Sequence, residues 1–452
     1  MVKNQQLIFA TFVAMGAMVL SVEANAGGTL GFTGHTLATF SESPLAGASD
    51  TRSRIPIYQF LSLRTLDLGV QGLSIELSGV LGAHAGEPPI VGANLQDDRF
   101  VGDVLVGLIR WHDQKRRISL AAGRQYLFIG AGRAEHLDGL TITYRSPWSV
   151  DITAFGGRTQ PAQVDDEALE PNLAYESYFY SNWAVGGRIR YRLLRQAIAS
   201  VGFVHEGHEK QTVRQNLSFQ LGYWGFSKLE AQAGGVVDVA AKLPQELWLS
   251  LTSRPLASLK LTADYSYQVP ALTISKTSLF SVFATDAYHS ASLGAHYGIT
   301  ESLLVGVGGG VRFYPGAGFM KLGYNGALDV RYRLGEGGGK NVGLRSEFVH
   351  ASDQWSLQNR LYAAYRLSFG LYFNAQAYVL LLGRDGGGGS STFDQHVEAK
   401  PLSFGGLVLA GYQLIDALSL QVAGSAFVTP LAKKDMRILA RLTYSSAWSW
   451  AR

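Results

Sequence analysis

The sequence predicts an all-β protein: a single transmembrane antiparallel β-barrel of about 22 strands, apolar face outward and without a plug domain. Three observations carry this. Long segments alternate strictly between apolar and polar residues, glycine is abundant while charge is scarce, and short and long turn signals alternate along the chain.

Composition sets the class. The chain has 452 residues, 53 of them glycine and none cysteine, with 16% charged and 11% aromatic residues. Soluble domains average about 25% charged residues and about 7% glycine. No run of about 20 apolar residues follows the N-terminal region, which excludes a bundle of transmembrane helices. Without cysteine there are no disulfides, thiolate zinc sites or thiol catalysis, and no lipid-anchored N-terminal cysteine. The N-terminus carries Lys3, an apolar core from Leu7 to Leu20, and a small-x-small Ala24-Asn25-Ala26. Residues 1–26 are therefore expected to be a signal peptide, and 27–452 the barrel.

The strands come next. Residues 181–194 place Trp183, Val185, Ile189, Tyr191 and Leu193 on one parity and Arg188, Arg190 and Arg192 on the other. In 259–269, Leu259, Leu261, Ala263, Tyr265 and Tyr267 alternate with Lys260, Thr262, Asp264, Ser266 and Gln268. Leu322, Tyr324, Leu328, Val330 and Tyr332 oppose Asn325, Asp329, Arg331 and Arg333 in the same way. Such segments exceed the usual strand of about 5–6 residues and fit the roughly 9–11 that cross a bilayer at a tilt. Aromatics at the ends of the apolar faces, such as Trp183, Tyr191, Tyr297 and Trp448, match the girdles at the two water–lipid interfaces.

Short connections at 70–72, 113–116, 146–148, 194–196, 225–227, 299–302, 335–340 and 414–417 alternate with mostly longer polar ones, including 86–98, 159–177 and 383–396. Short periplasmic turns and longer outer loops are the pattern of outer-membrane barrels. Pairing them gives about 22 strands from near Gly28 to near Trp448, or roughly 18–20 on a coarser reading of the turns.

With the polar parity inward, the lumen is lined by Arg145, Arg188, Arg190, Arg192, Lys260, Arg331, Arg333, Arg345, Arg360, Arg366, Arg437 and Arg441, joined by Lys228, Arg254, Arg312 and Lys321. Fewer inward acids face them: Glu76, Asp151, Glu230, Asp238, Glu246, Asp264, Asp329 and Glu347. Several of the cations cluster toward the short-turn end as a positive collar. Rings of Arg and Lys favour anionic solutes, and the planar guanidinium suits carboxylate and phosphate. The alternative is that these arginines only pair across strands with lumen acids.

The segment 123–145 breaks the pattern. Arg124 shares parity with Ile118, Leu120 and Ala122, so a bulge at Gly123 or a rim position is needed to turn it inward. Gly123-Arg124-Gln125 followed by Asp138-Gly139-Leu140 resembles a hairpin of porin-like families, including the alginate-type polysaccharide exporters. The resemblance covers about 20 residues and implies an Arg-lined pore passing an acidic polymer out of the cell. The acidic loop with Asp165, Asp166, Glu167 and Glu170 offers a constriction folded against the arginines, or else a solvated loop.

Catalysis is not expected. His205, Glu206 and His208 suggest a metal pair, but no third ligand is placed. The glycine-rich stretches precede no helix and so are not phosphate loops. No catalytic residue, metal or cofactor is assigned, and no nucleic-acid partner. The C-terminal strand supports recognition by the barrel-assembly machinery, although the chain ends Trp450-Ala451-Arg452 rather than on an aromatic. Other expected partners are outer-membrane lipid, an anionic solute or acidic polymer, and periplasmic export components. The leading expectation is an outer-membrane channel for hydrophilic, anionic solutes, with polysaccharide export as its narrower form. The competing one is a non-conducting structural or adhesion barrel serving as a platform for envelope partners.

Overall fold

A computed structural model describes residues 28–44, 51–67, 70–86, 100–129, 134–159, 182–208, 211–226, 228–269, 287–315, 321–335, 339–351, 354–384, 402–429 and 435–450. The signal segment and the acidic loop of Asp165, Asp166, Glu167 and Glu170 lie outside them.

The described residues form 22 strands: β1 (Gly28–Pro44), β2 (Thr51–Leu66), β3 (Leu73–Gly86), β4 (Phe100–His112), β5 (Ile118–Phe128), β6 (Ala134–Arg145), β7 (Val150–Thr159), β8 (Asn182–Leu194), β9 (Ala197–His208), β10 (Gln211–Phe226) and β11 (Leu229–Asp238) in the first half. The second half holds β12 (Leu243–Leu256), β13 (Leu259–Gln268), β14 (Tyr288–Gly298), β15 (Leu303–Tyr314), β16 (Lys321–Arg333), β17 (Lys340–Ala351), β18 (Gln354–Arg366), β19 (Leu371–Arg384), β20 (Leu402–Ile415), β21 (Leu418–Val428) and β22 (Asp435–Trp450). Each strand pairs antiparallel with the next. The sheet closes where β1 meets β22, from Gly28↔Trp450 to Glu42↔Met436. Closure leaves neither the first nor the last strand as a free edge, as a hydrocarbon environment demands.

Side-chain exposure fixes which face is which. Leu140, Ile142, Ile189, Leu293 and Leu361 are all more than half exposed on the outward parity, as a lipid-facing band requires. Tyr324 and Tyr332 mark the two ends of that band on β16, and both are exposed. At the short-turn end the Lys340 ammonium lies 4.6 Å from the ring centre of Tyr365, where an amphipathic side chain reaches the headgroup level.

Local chemistry sets the short turns. Between β4 and β5 the Asp113 carboxylate accepts the Ile118 N–H at 2.8 Å, and Arg116 takes a positive φ of 52°. That hydrogen bond holds the Asp113 carboxyl below the usual carboxylate range. Elsewhere the wall is tuned by rings laid across strands onto glycines. A Cβ at Gly34 would meet the Tyr444 ring, one at Gly343 the Tyr362 ring, one at Gly411 the Tyr372 ring, and one at Gly383 the Trp355 ring. Each of these is a directly opposed cross-strand pair, the unit through which sheets gain specificity.

One sector departs from a plain single-layer wall. β4 and β5 pair only from Gly107↔Arg124 to His112↔Ser119, and β6 and β7 only from Leu137↔Thr159 to Arg145↔Asp151. β5 and β6 remain paired to each other through Phe128↔Ala134. The outer end of this hairpin therefore leaves the wall and folds into the lumen. Ile129 and Leu137 pack there against Phe155 of β7, Ala184 of β8 and Val204 of β9, with Leu127 alongside. Burying each large apolar side chain contributes about 1.5–3 kcal/mol. The expectation that a bulge at Gly123 turns Arg124 inward is corrected here. Gly123 does take a φ of 119°, but β5 and β6 keep one-to-one register, and it is the hairpin end as a whole that swings inward.

Candidate functional site: the basic lumen and its inserted hairpin

On β8, Arg188, Arg190 and Arg192 oppose Ile189, Tyr191 and Leu193, which are exposed on the outer face. Arg145, Asp151 and Arg190 lie in one row across β6, β7 and β8, with no ion pair formed between Asp151 and either guanidinium. The Arg145 guanidinium also donates to the Arg116 carbonyl at 3.3 Å.

Across the barrel, Arg331 donates to the Tyr362 hydroxyl at 3.0 Å, and that hydroxyl donates to Asp329 at 3.3 Å. Arg360 lies over the same ring, 5.2 Å from its centre. Arg345 pairs with Glu347 at 3.0 Å, Arg437 with Asp435 at 2.9 Å, and Arg254 with Glu230 at 3.3 Å. Arg441 comes within 3.4 Å of His35 Nδ1. Among the described residues, Arg190, Arg192, Arg333, Arg366 and Lys260 have no carboxylate within ion-pair distance. All five lie in the short-turn half of their strands. Cross-strand pairing thus accounts for part of the basic set and leaves the collar uncompensated among these residues.

The inserted hairpin forms the second half of the site, and sequence reasoning missed it. Its outer end is tied to the neighbouring β8–β10 wall by polar groups. The Phe128 carbonyl accepts from Arg188 at 2.9 Å, and the Ile129 carbonyl from the Ser218 hydroxyl at 3.4 Å. Glu135 meets Arg214 of β10 at 2.5 Å, and Arg214 Nε meets Glu206 of β9 at 2.8 Å. Asn182 donates to the other Glu206 oxygen at 3.0 Å. One guanidinium thus sits between two nearly buried carboxylates. At the hairpin base, Arg124 bonds Asp138 at 2.8 Å, Asp103 at 3.3 Å and the Val104 carbonyl at 2.8 Å. The Leu105 carbonyl lies 2.9 Å from His136 Nε2. These side chains satisfy the edge that β4 exposes when β5 departs.

A signal for the insertion was present. Tyr126-Leu127-Phe128-Ile129 is apolar on both parities, whereas a lipid-facing strand is apolar on one. The candidate metal pair is corrected by the same alternation. His205 takes the outward parity beside Trp183, 5.0 Å between ring centres. Glu206 faces inward to Arg214, and His208 inward to Asn182 at 2.9 Å.

No protein-family model matches the sequence, and no curated protein matches it either. Solved structures similar over most of the chain include OccAB4 of Acinetobacter baumannii, at 10% identity and a TM-score of 0.43, covering 94% of this chain and 99% of that one. The translocation pore of the P pilus usher PapC has 9% identity and a TM-score of 0.48, covering 92% and 99%. A BenF-like porin from Pseudomonas fluorescens Pf-5 has 8% identity and a TM-score of 0.45, covering 94% and 99%. The chain's own geometry, a closed antiparallel barrel of 22 strands with an apolar outer band and short turns at the end that holds both barrel termini, is that of a bacterial outer-membrane protein.

Proposed function

We propose that this barrel is an outer-membrane channel for small hydrophilic solutes, with a preference for anions and with the β5–β6 hairpin as its outer constriction. Barrels of roughly 16–18 strands already leave an aqueous passage, and this wall has 22 strands. The observation that carries the anion preference is the collar of Arg190, Arg192, Arg333 and Arg366, which faces the lumen without carboxylate partners among the described residues. Charges lining a confined water path act at close range on a passing ion, and low-dielectric walls focus their field.

The test is the reversal potential of the purified barrel in planar bilayers under a salt gradient. Anion preference should be strongest at low salt and fade as the Debye length shrinks from ~30 Å at 0.01 M to ~3 Å at 1 M. Changing Arg190, Arg192, Arg333 and Arg366 to Gln removes the four collar charges while keeping polarity, and should move selectivity toward cations. An unaltered ion preference in a folded, conducting variant refutes the collar. Absence of current under every condition leaves the scaffold function instead. The narrower reading, export of an acidic polysaccharide, requires the polymer to pass the inserted hairpin, so it predicts that added polymer blocks current from the periplasmic side.

A further inference from the structure

The inserted hairpin has a second face. Leu127 and Ile129 pack on the β7–β9 wall, so by strand alternation Tyr126 and Phe128 point away from it, toward the barrel axis. Phe128 is 69% exposed and Tyr126 44%. Tyr126 stacks on His136 across the hairpin, 4.1 Å between ring centres and 7° between planes. The same face continues to the base as the Arg124–Asp138 pair, directly opposed in register, where Asp103 joins as a second carboxylate.

Among the described residues Phe128 is the open phenyl ring of the lumen: Phe60 and Phe427, which also take the inward parity, are only part-exposed, while Phe128 is 69% exposed. We infer that this face is a stacking site for a neutral, hydroxyl-bearing ring, that is, a pyranose sugar. Rings of that kind lay an apolar C–H face on an aromatic side chain and present their hydroxyls at the rim. The polar end of the site matches. Arg124 is already shared between Asp103 and Asp138, and Arg158 stands directly opposite Asp138, so two cations and two carboxylates balance at the base. That balance gives an anionic ring no net attraction, while its oxygens and N–H groups remain suited to hydroxyls. The site acts at the outer mouth and is independent of the collar at the far end of the barrel.

The experiment is isothermal titration of the full barrel in detergent with maltotriose and, separately, cellotriose, with sodium benzoate as the charged-ring control. The wild type should bind at least one trisaccharide and not benzoate. Phe128→Ala should weaken binding by roughly two- to ten-fold, the range set by aromatic stacking. Phe128→Trp should restore it, and Phe203→Ala on the lipid face should leave it unchanged. Phe128 is largely exposed, so its truncation is not expected to compromise folding. Failure of both trisaccharides to bind the wild type overturns the sugar site, as does binding of benzoate in their place or equal binding by Phe128→Ala. Because the readout is binding and not current, a barrel that conducts but binds no sugar refutes this site alone. A barrel that binds sugar but carries no current refutes only the channel.

Discussion

Replacing Arg214 with Met tests whether the hairpin is held in the lumen by charge. The Arg214 side chain is 22% exposed, and its partners Glu135 and Glu206 only 9% and 12%. Removing the cation leaves two carboxylates facing one another with little water. Breaking such a buried arrangement from one side costs about 3–5 kcal/mol, more than the roughly 1.5–3 kcal/mol from burying one apolar side chain such as Ile129. At about 1.4 kcal/mol per decade, the docked-to-released ratio of the hairpin should fall by roughly two to three and a half orders of magnitude. The wall strands do not depend on this triad. The expected phenotype is therefore a folded barrel, still heat-modifiable on gels, with larger single-channel conductance and more frequent current steps. The Glu135→Gln, Arg214→Met, Glu206→Gln triple variant removes every charge together and should recover much of the wild-type conductance. Wild-type conductance in Arg214→Met, or general unfolding of the barrel, would refute a charge-held hairpin.

Three further outcomes are expected. Leu328→Arg or Leu361→Arg, at outward positions of β16 and β18, should destabilise the barrel by ~2–4 kcal/mol near the midplane, measured by urea unfolding in lipid. Thr262→Arg, on the inward parity, should be mild, and equal costs would reverse the two faces. Cysteines at Ala241, between β11 and β12, and at Glu301, between β14 and β15, should label from opposite sides of the outer membrane, only the first from outside intact cells. Gly34→Val should displace the Tyr444 ring and cost that hydroxyl its 3.0 Å hydrogen bond from Gln59, lowering the unfolding midpoint at the β1–β22 closure.

The wall was readable because its code is local. Alternation in 181–194 or 259–269 needs only neighbours two residues apart to declare a face, and a turn such as 113–116 declares itself through Asp113. The strand count follows from those two signals. The inserted hairpin was not readable in the same way. Its polar tie joins Glu135 to Arg214, 79 residues apart, and nothing near either residue names the other. Arg214 stands where its strand begins irregularly, with a register shift between Thr212 and Arg214, so simple alternation does not carry through it. The double-sided apolar run at 126–129 marked the place without saying what would cover it.

The aromatic–glycine pairs bear on how such a wall finds its register during assembly. Twenty-two similar strands offer many near-equivalent alignments, because a slide of two residues keeps every greasy side chain outward. Opposite Tyr362 or Trp355, however, only a residue without a side chain leaves room for the ring. A slide of two would set Tyr362 against Asn341 or Arg345 in place of Gly343. Each pair thus works as a key cut for a single notch, and notches spread around the circumference would reject a misthreaded strand before the first and last strands meet. On this view much of the chain's glycine is an alignment code, and a glycine lost from one of these notches should surface first as slow or failed closure of the barrel.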